Sequence, residues 1–317
     1  MPHILIIGDE EDPHISEVCK YLKNKKVDHF ILNPFHGQIN TLTYTFDPLE
    51  IQISYKEKSI SYSDITAVWW RFKPLLTNYP KDIGEFETQN FIRREWQLTL
   101  EPLKHYLKDC FWINRKESDS LVRNKPYQLD IAVQYGFKIP KGIISNNSSF
   151  INKTTGGFDK FLYKPLSYFI IPPDRVLYSS IMTTRELAVK KKSIELAPCI
   201  FQEYIEKDFE ARITIVGTNI FPVKINSQKH NKTKFDWRKD QQKLEYETLN
   251  LPSKFKSKLL KLHKAFGIYY GAYDFIVSPD GTYHFLEVNP AGQWLWLERA
   301  MNLNISERIA EALINEE

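Results

Sequence analysis

Apolar and polar residues along the chain change period several times, and each change marks a different element. His3–Ile7 is a short apolar run that stops at Gly8. Asp12-Pro13 follows, a helix cap with proline at the first helical position, and an amphipathic stretch runs to about Lys25. The chain therefore opens as strand, turn, helix. Phe30–Leu32 and Ala67–Trp70 read as further strands, and Glu85–Leu107 carries a helical period with charges of both signs. Asn124 caps a helix from Lys125 to Tyr135 that ends at Gly136, with Pro140 beyond. Strand-like runs then recur at 160–164, 175–178, 199–205, 211–216 and 220–225, with a short helix near Thr184–Lys191. A helix from Pro252 to Phe266, two strands either side of Pro279-Asp280-Gly281 and two helical stretches complete the chain. This succession predicts an α/β (α+β) protein with an α/β unit over 1–115 and a second unit starting near Ser118.

Composition narrows the class. Over 317 residues, 42% hydrophobic and 26% charged is an ordinary globular balance. No apolar run reaches the roughly 18 residues of a membrane span, and the start lacks a signal peptide's basic flank, so the expected location is the cytosol with no membrane partner. Three widely spaced cysteines, Cys19, Cys110 and Cys199, read as buried thiols rather than a metal knuckle. A net charge of +4 from 43 basic and 39 acidic residues does not by itself imply nucleic acid. The basic run from Lys229 to Lys243 around Trp237 is the one nucleic-acid-like patch, and a solvated or mobile loop accounts for it better. Gly8 stands alone, without the glycine pattern of a dinucleotide site.

The sharpest chemistry is in Tyr273-Asp274-Phe275-Ile276-Val277, Pro279-Asp280-Gly281 and Phe285-Leu286-Glu287-Val288-Asn289-Pro290. Asp-Gly favours a two-residue hairpin turn, and pairing Pro279 with Thr282 sets Asp274 opposite Glu287. Asn289, two residues on, shares that face. Two carboxylates and an amide oxygen suit Mg²⁺ holding phosphates. A three-residue loop would move Asp274 opposite Leu286 and spoil the set. Lys125, in Asn-Lys-Pro, and Lys164, in Leu-Tyr-Lys-Pro-Leu-Ser, are candidate phosphate-binding ammoniums. Gln202-Glu203-Tyr204-Ile205 followed by Glu210 is an extended segment fit for an adenine edge, with a carboxylate nearby for ribose; a plain amphipathic hairpin explains it equally.

In combination, these residues resemble the ATP-grasp superfamily of carboxylate ligases over about 116–317. The resemblance implies an ATP-grasp fold with a preceding Rossmann-like lobe over 1–115, a central lobe over 116–198 and a C-terminal lobe over 199–317 carrying the metal site, and ATP with Mg²⁺, two ions expected, as cofactors. It implies phosphate contacts from Lys125 and Lys164, an adenine hinge at Gln202, Glu203, Tyr204 and Ile205, ribose at Glu210, and the metal on Asp274, Glu287 and Asn289. Arg212 and Lys224 match basic positions near the phosphates and acyl group. Val68-Trp69-Trp70-Arg71, Tyr163-Lys164-Pro165-Leu166-Ser167, Phe235-Asp236-Trp237-Arg238 and Glu287-Val288-Asn289-Pro290-Ala291-Gly292-Gln293-Trp294 look like the microviridin-type peptide ligases, or graspetide synthetases. By that likeness the partner is a ribosomal precursor peptide with a leader and an acidic core. The likeness implies that its Asp or Glu side chains are activated as acyl phosphates and joined to Ser, Thr or Lys, and that the enzyme is a homodimer. Arg71, Arg212 and Arg238 are candidates to orient the carboxylate, and Asp236 to accept a proton. Ser167–Ser180 contains no glycine, a departure from the glycine-rich phosphate lid found elsewhere in the superfamily. Two rivals stand beside this reading: a ligase adding an amino acid to a small molecule or protein tail, and a non-catalytic peptide- or nucleic-acid-binding module.

Overall fold

The computed structural model describes residues 2–34, 40–72, 86–156, 158, 160–166, 170–171, 175–176, 179–230, 233–238, 240 and 244–316. Ile4–Ile7 is the second strand of a parallel sheet ordered His29–Leu32, Ile4–Ile7, Ala67–Trp70, Phe111–Ile113. Ile4 and Ile6 pack beneath the helix Pro13–Asn24, whereas Leu5 and Ile7 pack into a separate cluster on the other face. A strand apolar on both sides is what a parallel sheet covered on both faces requires. Asp12 caps the helix, its side chain accepting from His14 N with Pro13 in the first turn. An antiparallel sheet of Asn40–Thr45, Glu50–Tyr55 and Lys58–Ser61 was not among the expected elements. Its signal is alternation alone, with Ile51, Ile53 and Ile60 inward.

The central antiparallel sheet runs Ser180–Met182, Phe161–Lys164, Cys199–Glu203, Gly142–Ser145. Cys199–Glu203 hydrogen-bonds to both Phe161–Lys164 and Gly142–Ser145, so the change of sheet comes after Glu203. Val122, Ala132 and Phe137 from the start of the expected central lobe pack on the last sheet with Ile213 and Phe275. The closing helices Leu295–Met301 and Ile305–Asn315 return to the N-terminal sheet, where Leu295, Ile305 and Ile309 join the cluster of Ile4 and Ile15. The segment 167–180 contributes a two-strand hairpin of Ile170–Ile171 and Arg175–Val176; its remaining residues lie largely outside the described ones, as does part of the Lys229–Lys243 run.

The last sheet carries the chemistry: Tyr246–Thr248, Asn219–Ile225, Phe209–Val216, Tyr270–Val277, Tyr283–Asn289, all antiparallel. Its hairpin corrects one expectation while preserving its consequence. Ser278, not Pro279, pairs with Thr282, its N–H donating to the Thr282 carbonyl at 3.0 Å, so the loop has three residues. Gly281 sits at φ +77°, the left-handed position such a loop needs. Asp274 would then face Leu286, but a β-bulge at Leu286 restores the register, and Asp274 faces Glu287 with Ala272 opposite Asn289. Phe285 and Val288, three residues apart, both reach the apolar core, which an unbulged strand's two-residue period forbids.

Candidate active site

Three elements deliver cations to the Asp274–Glu287 pair. The strand Phe209–Val216 places Arg212 directly beside Asp274 in register, and Arg212 Nη1 donates to Asp274 Oδ2 at 2.8 Å. The helix Lys125–Gln134, capped by Asn124, begins at the cleft, and Lys125 Nζ donates a short hydrogen bond to Glu287. Lys164 ends the strand Phe161–Lys164 of the central sheet and bears on Glu287, Lys125, Arg238 and Asp274 electrostatically. Burial pulls its ammonium down to about 8, against the upward pull of Glu287. Burial pushes Glu287 upward, but the Lys125 and Lys164 ammoniums outweigh it and hold the carboxyl at about 2. Asp274 is raised, by burial first and then by Glu287, against the lowering effect of Arg212. The cleft therefore holds one carboxylate firmly ionised and a second beside it whose charge the site resists.

Asn289 is exposed, on the face of Asp274 and Glu287, its Oδ1 accepting from Ala291 N at 3.0 Å. Among the described residues no cluster of three or more His, Cys, Asp or Glu is arranged to hold a metal, so any ion there rests on two carboxylates and one amide. This all-oxygen set fits a hard divalent cation. The flanking cations fit the phosphates such an ion carries: Arg212, 6% exposed, keeps Nε buried without a hydrogen-bond partner, a donor lacking an acceptor.

The other expected residues fall into three groups. Arg238 and Asp236 stand close by as a bidentate pair, Nε to Oδ1 at 2.8 Å and Nη2 to Oδ2 at 2.7 Å. Burial would raise Asp236, but the bonds from Arg238 prevail and lower it, which weakens it as a proton acceptor. Gln202 is buried in the central sheet, Glu203 accepts from Lys141 N at 2.8 Å, and Tyr204 and Ile205 lie in the unpaired link between the two sheets. Tyr204 meets the ring of Phe235 at 6.0 Å. Glu210 is buried, its carboxyl raised chiefly by burial, and it accepts from Lys207 Nζ at 2.7 Å.

Two residues lie elsewhere. Lys224 pairs opposite Ala211, whose side chain joins the apolar core, so strand alternation turns it away from the face of Arg212 and Asp274. Its ammonium reaches Glu247 at 3.2 Å and lies over the Phe209 ring. The expected place near the phosphates is thereby corrected: family spacing found the strand and missed its parity. Arg71 is buried at the end of Ala67–Trp70, paired with Asp12 at 2.8 Å and packed on Trp294 at 4.7 Å, with Nη2 unpartnered.

Several supporting residues had no signal in sequence spacing. Asn114 Nδ2 donates to the carbonyls of Tyr270 and Pro290 at 2.8 and 2.9 Å, while its Oδ1 accepts from the Tyr269 and Tyr270 amides. His14 Nε2 accepts from Trp294 N at 3.2 Å. Together they tie the N-terminal sheet to the segment leaving Asn289. Lys207, a buried ammonium three residues before Glu210, was equally unmarked among 43 basic residues.

No protein-family model and no curated protein sequence matches the chain. Solved structures do. A RiPP-associated ATP-grasp ligase from Chryseobacterium gregarium, in complex with ADP and a leader and core peptide, is similar with a TM-score of 0.88 at 27% identity, over 100% of this chain and 98% of that one. Macrocyclase MdnC from Microcystis aeruginosa MRC, bound with precursor peptide MdnA, gives 0.86 at 28% over 99% and 100%. Macrocyclase MdnB from the same organism gives 0.78 at 25% over 99% of each chain. This end-to-end likeness, joined to a lysine- and arginine-lined carboxylate pair, makes the chain similar throughout its length to ATP-grasp ligases.

Proposed function

We propose that this ligase acts on a ribosomally made precursor peptide, closing ω-ester or ω-amide bonds from its Asp or Glu side chains. The observation that carries the reading is the register of Asp274 opposite Glu287, with Lys125, Lys164 and Arg212 converging from three elements. The full-length likeness to two peptide-bound ligases supports it.

A carboxylate is a poor acyl donor, so its oxygen first bonds to the γ-phosphorus of ATP as the bond to ADP breaks. Mg²⁺, in this reading two ions held by Asp274, Glu287 and Asn289, would supply charge neutralisation for the phosphates. Lys125 and Lys164 bind the phosphates, exchanging carboxylate partners for phosphoryl oxygens. The Gln202–Ile205 segment takes the adenine edge and Glu210 the ribose. Arg212 and Arg238 orient the peptide carboxylate, donating to its oxygens from the guanidinium N–H groups that Asp274 and Asp236 do not hold. A Ser or Thr hydroxyl or a Lys amine then attacks the acyl carbon, phosphate leaves, and the nucleophile's proton passes to Asp236 or solvent.

The same reading holds three lobes near 1–115, 116–198 and 199–317, a homodimer and a cytosolic setting. No described helix is long and apolar enough to cross a membrane. The decisive experiment mixes protein, ATP, Mg²⁺ and any candidate precursor peptide encoded beside it and records intact peptide mass. Loss of one water per ring is expected. An unchanged peptide with ADP released on adding a free amino acid would replace this reading with a tail or small-molecule ligase.

A further inference from the structure

The helix Ser253–Ala265 carries five lysines, Lys254, Lys256, Lys258, Lys261 and Lys264, and no acidic residue. In a chain whose 43 basic and 39 acidic residues nearly balance, this is a local excess of one sign. Lys254, Lys258 and Lys261 are spaced four and three apart, so they stand on one side of the helix. With Tyr135, Ser253 and Ser257 they line an open groove of about 530 Å³, and no carboxylate lines it. Lys258 lies 4.3 Å from the centre of the Phe137 ring and donates to the Gly136 carbonyl at 3.0 Å, which fixes its stem across the groove floor. The opposite side of the helix, Leu259, Leu262 and His263, is buried, so the lysine face is the outward one.

The groove's position links it to the catalytic cleft. The helix that brings Lys125 to Glu287 runs from Lys125 to Gln134 and ends at Tyr135, which lines the groove. Ten residues at 1.5 Å each separate groove and cleft by roughly 15 Å, a span that about five extended residues cover. We propose that this groove docks an acidic segment of the peptide whose carboxylates the cleft activates, holding the chain at a second point. The inference rests on the peptide reading above. It names the partner by complementarity: clustered ammoniums and serine hydroxyls match a run of Asp and Glu side chains, and unpaired like charges on one helix face repel one another until such a partner arrives.

The test is a binding measurement that needs no turnover. A fluorescein-labelled deca-glutamate is titrated into the full chain at low salt and followed by anisotropy. K254Q/K258Q/K261Q is expected to weaken binding roughly tenfold, as the loss of three surface charge contacts would. K254Q/K261Q, which leaves Lys258 on Phe137, should show an intermediate loss with the fold intact. K190Q/K191Q/K192Q, an equal change of net charge on another helix, should bind as the parent does. An affinity that the groove variants leave unchanged, or that all three variants lower alike, would overturn the proposal. So would a single-stranded oligonucleotide outcompeting the peptide through the same lysines. D274N should still bind deca-glutamate, so failure of the ligase reading shows in peptide mass and failure of the groove shows in anisotropy.

Discussion

The side-chain amide of Gln128 exchanges two hydrogen bonds with the backbone of Val288, Oε1 accepting from its N–H at 2.8 Å and Nε2 donating to its carbonyl at 3.0 Å. Val288 lies between Glu287 and Asn289, so a helix side chain stands where a sixth strand would. Lys125, three residues earlier on the same helix, reaches Glu287. One helix thus fixes both the backbone and the charge of the outer site strand.

Gln128→Leu should leave the buried amide and carbonyl of Val288 unpaired, costing about 2–4 kcal/mol in urea unfolding. The KM for ATP should rise as well, because Glu287 and Asn289 lose their support. A change in stability with KM unchanged would separate Gln128 from the site.

Asp274→Asn and Glu287→Gln should each lower ATP turnover by roughly a hundredfold or more, the scale of losing one preorganised charge contact. Calorimetry should show the matching loss of Mg²⁺-dependent nucleotide binding. A folded variant binding nucleotide as the parent does would remove the residue from the metal set.

Lys164→Met keeps the stem and removes a charge whose burial is unfavourable, as its pull toward about 8 reports. The variant should therefore melt no lower than the parent while binding ATP roughly tenfold more weakly. A lower Tm with intact nucleotide affinity would make Lys164 structural.

His263 is buried between Tyr273 and Tyr269: Nε2 donates to the Tyr269 carbonyl at 3.1 Å, and Nδ1, at 2.9 Å, accepts from the Tyr273 hydroxyl. Burial pulls it from 6.5 to about 4 despite the Tyr269 bond. Above pH 6.5 both folded and unfolded chains carry it neutral. As pH falls from 6.5 toward 4 the unfolded chain takes up the proton first, so stability declines through that window, by up to about 3 kcal/mol. His263→Gln should flatten that part of the urea stability profile; an unaltered slope would assign it to other groups.

Much of the candidate site's arrangement was legible because period and chemistry coincide in short segments. Asp274, Glu287 and Asn289 lie within one hairpin, where alternation alone predicts a common face. Asn124 and Asp12 announced their helices because a cap acts on the next turn. The hairpin was read with the wrong loop length, and the expected register survived only because a bulge at Leu286 compensates, a choice made by packing Phe285 and Val288 into the same core. Lys224 shows the limit from the other side: its residue type and spacing suited phosphate, but strand parity relative to Arg212 turned it away. Asn114, His14 and Gln128 act across more than 150 residues of chain, where no local pattern records a partner. Sequence determined which segments fold and which charges they carry, because those follow from neighbours along the chain. Tertiary structure decided which charges meet, because that depends on which sheet each strand joins and which face it presents.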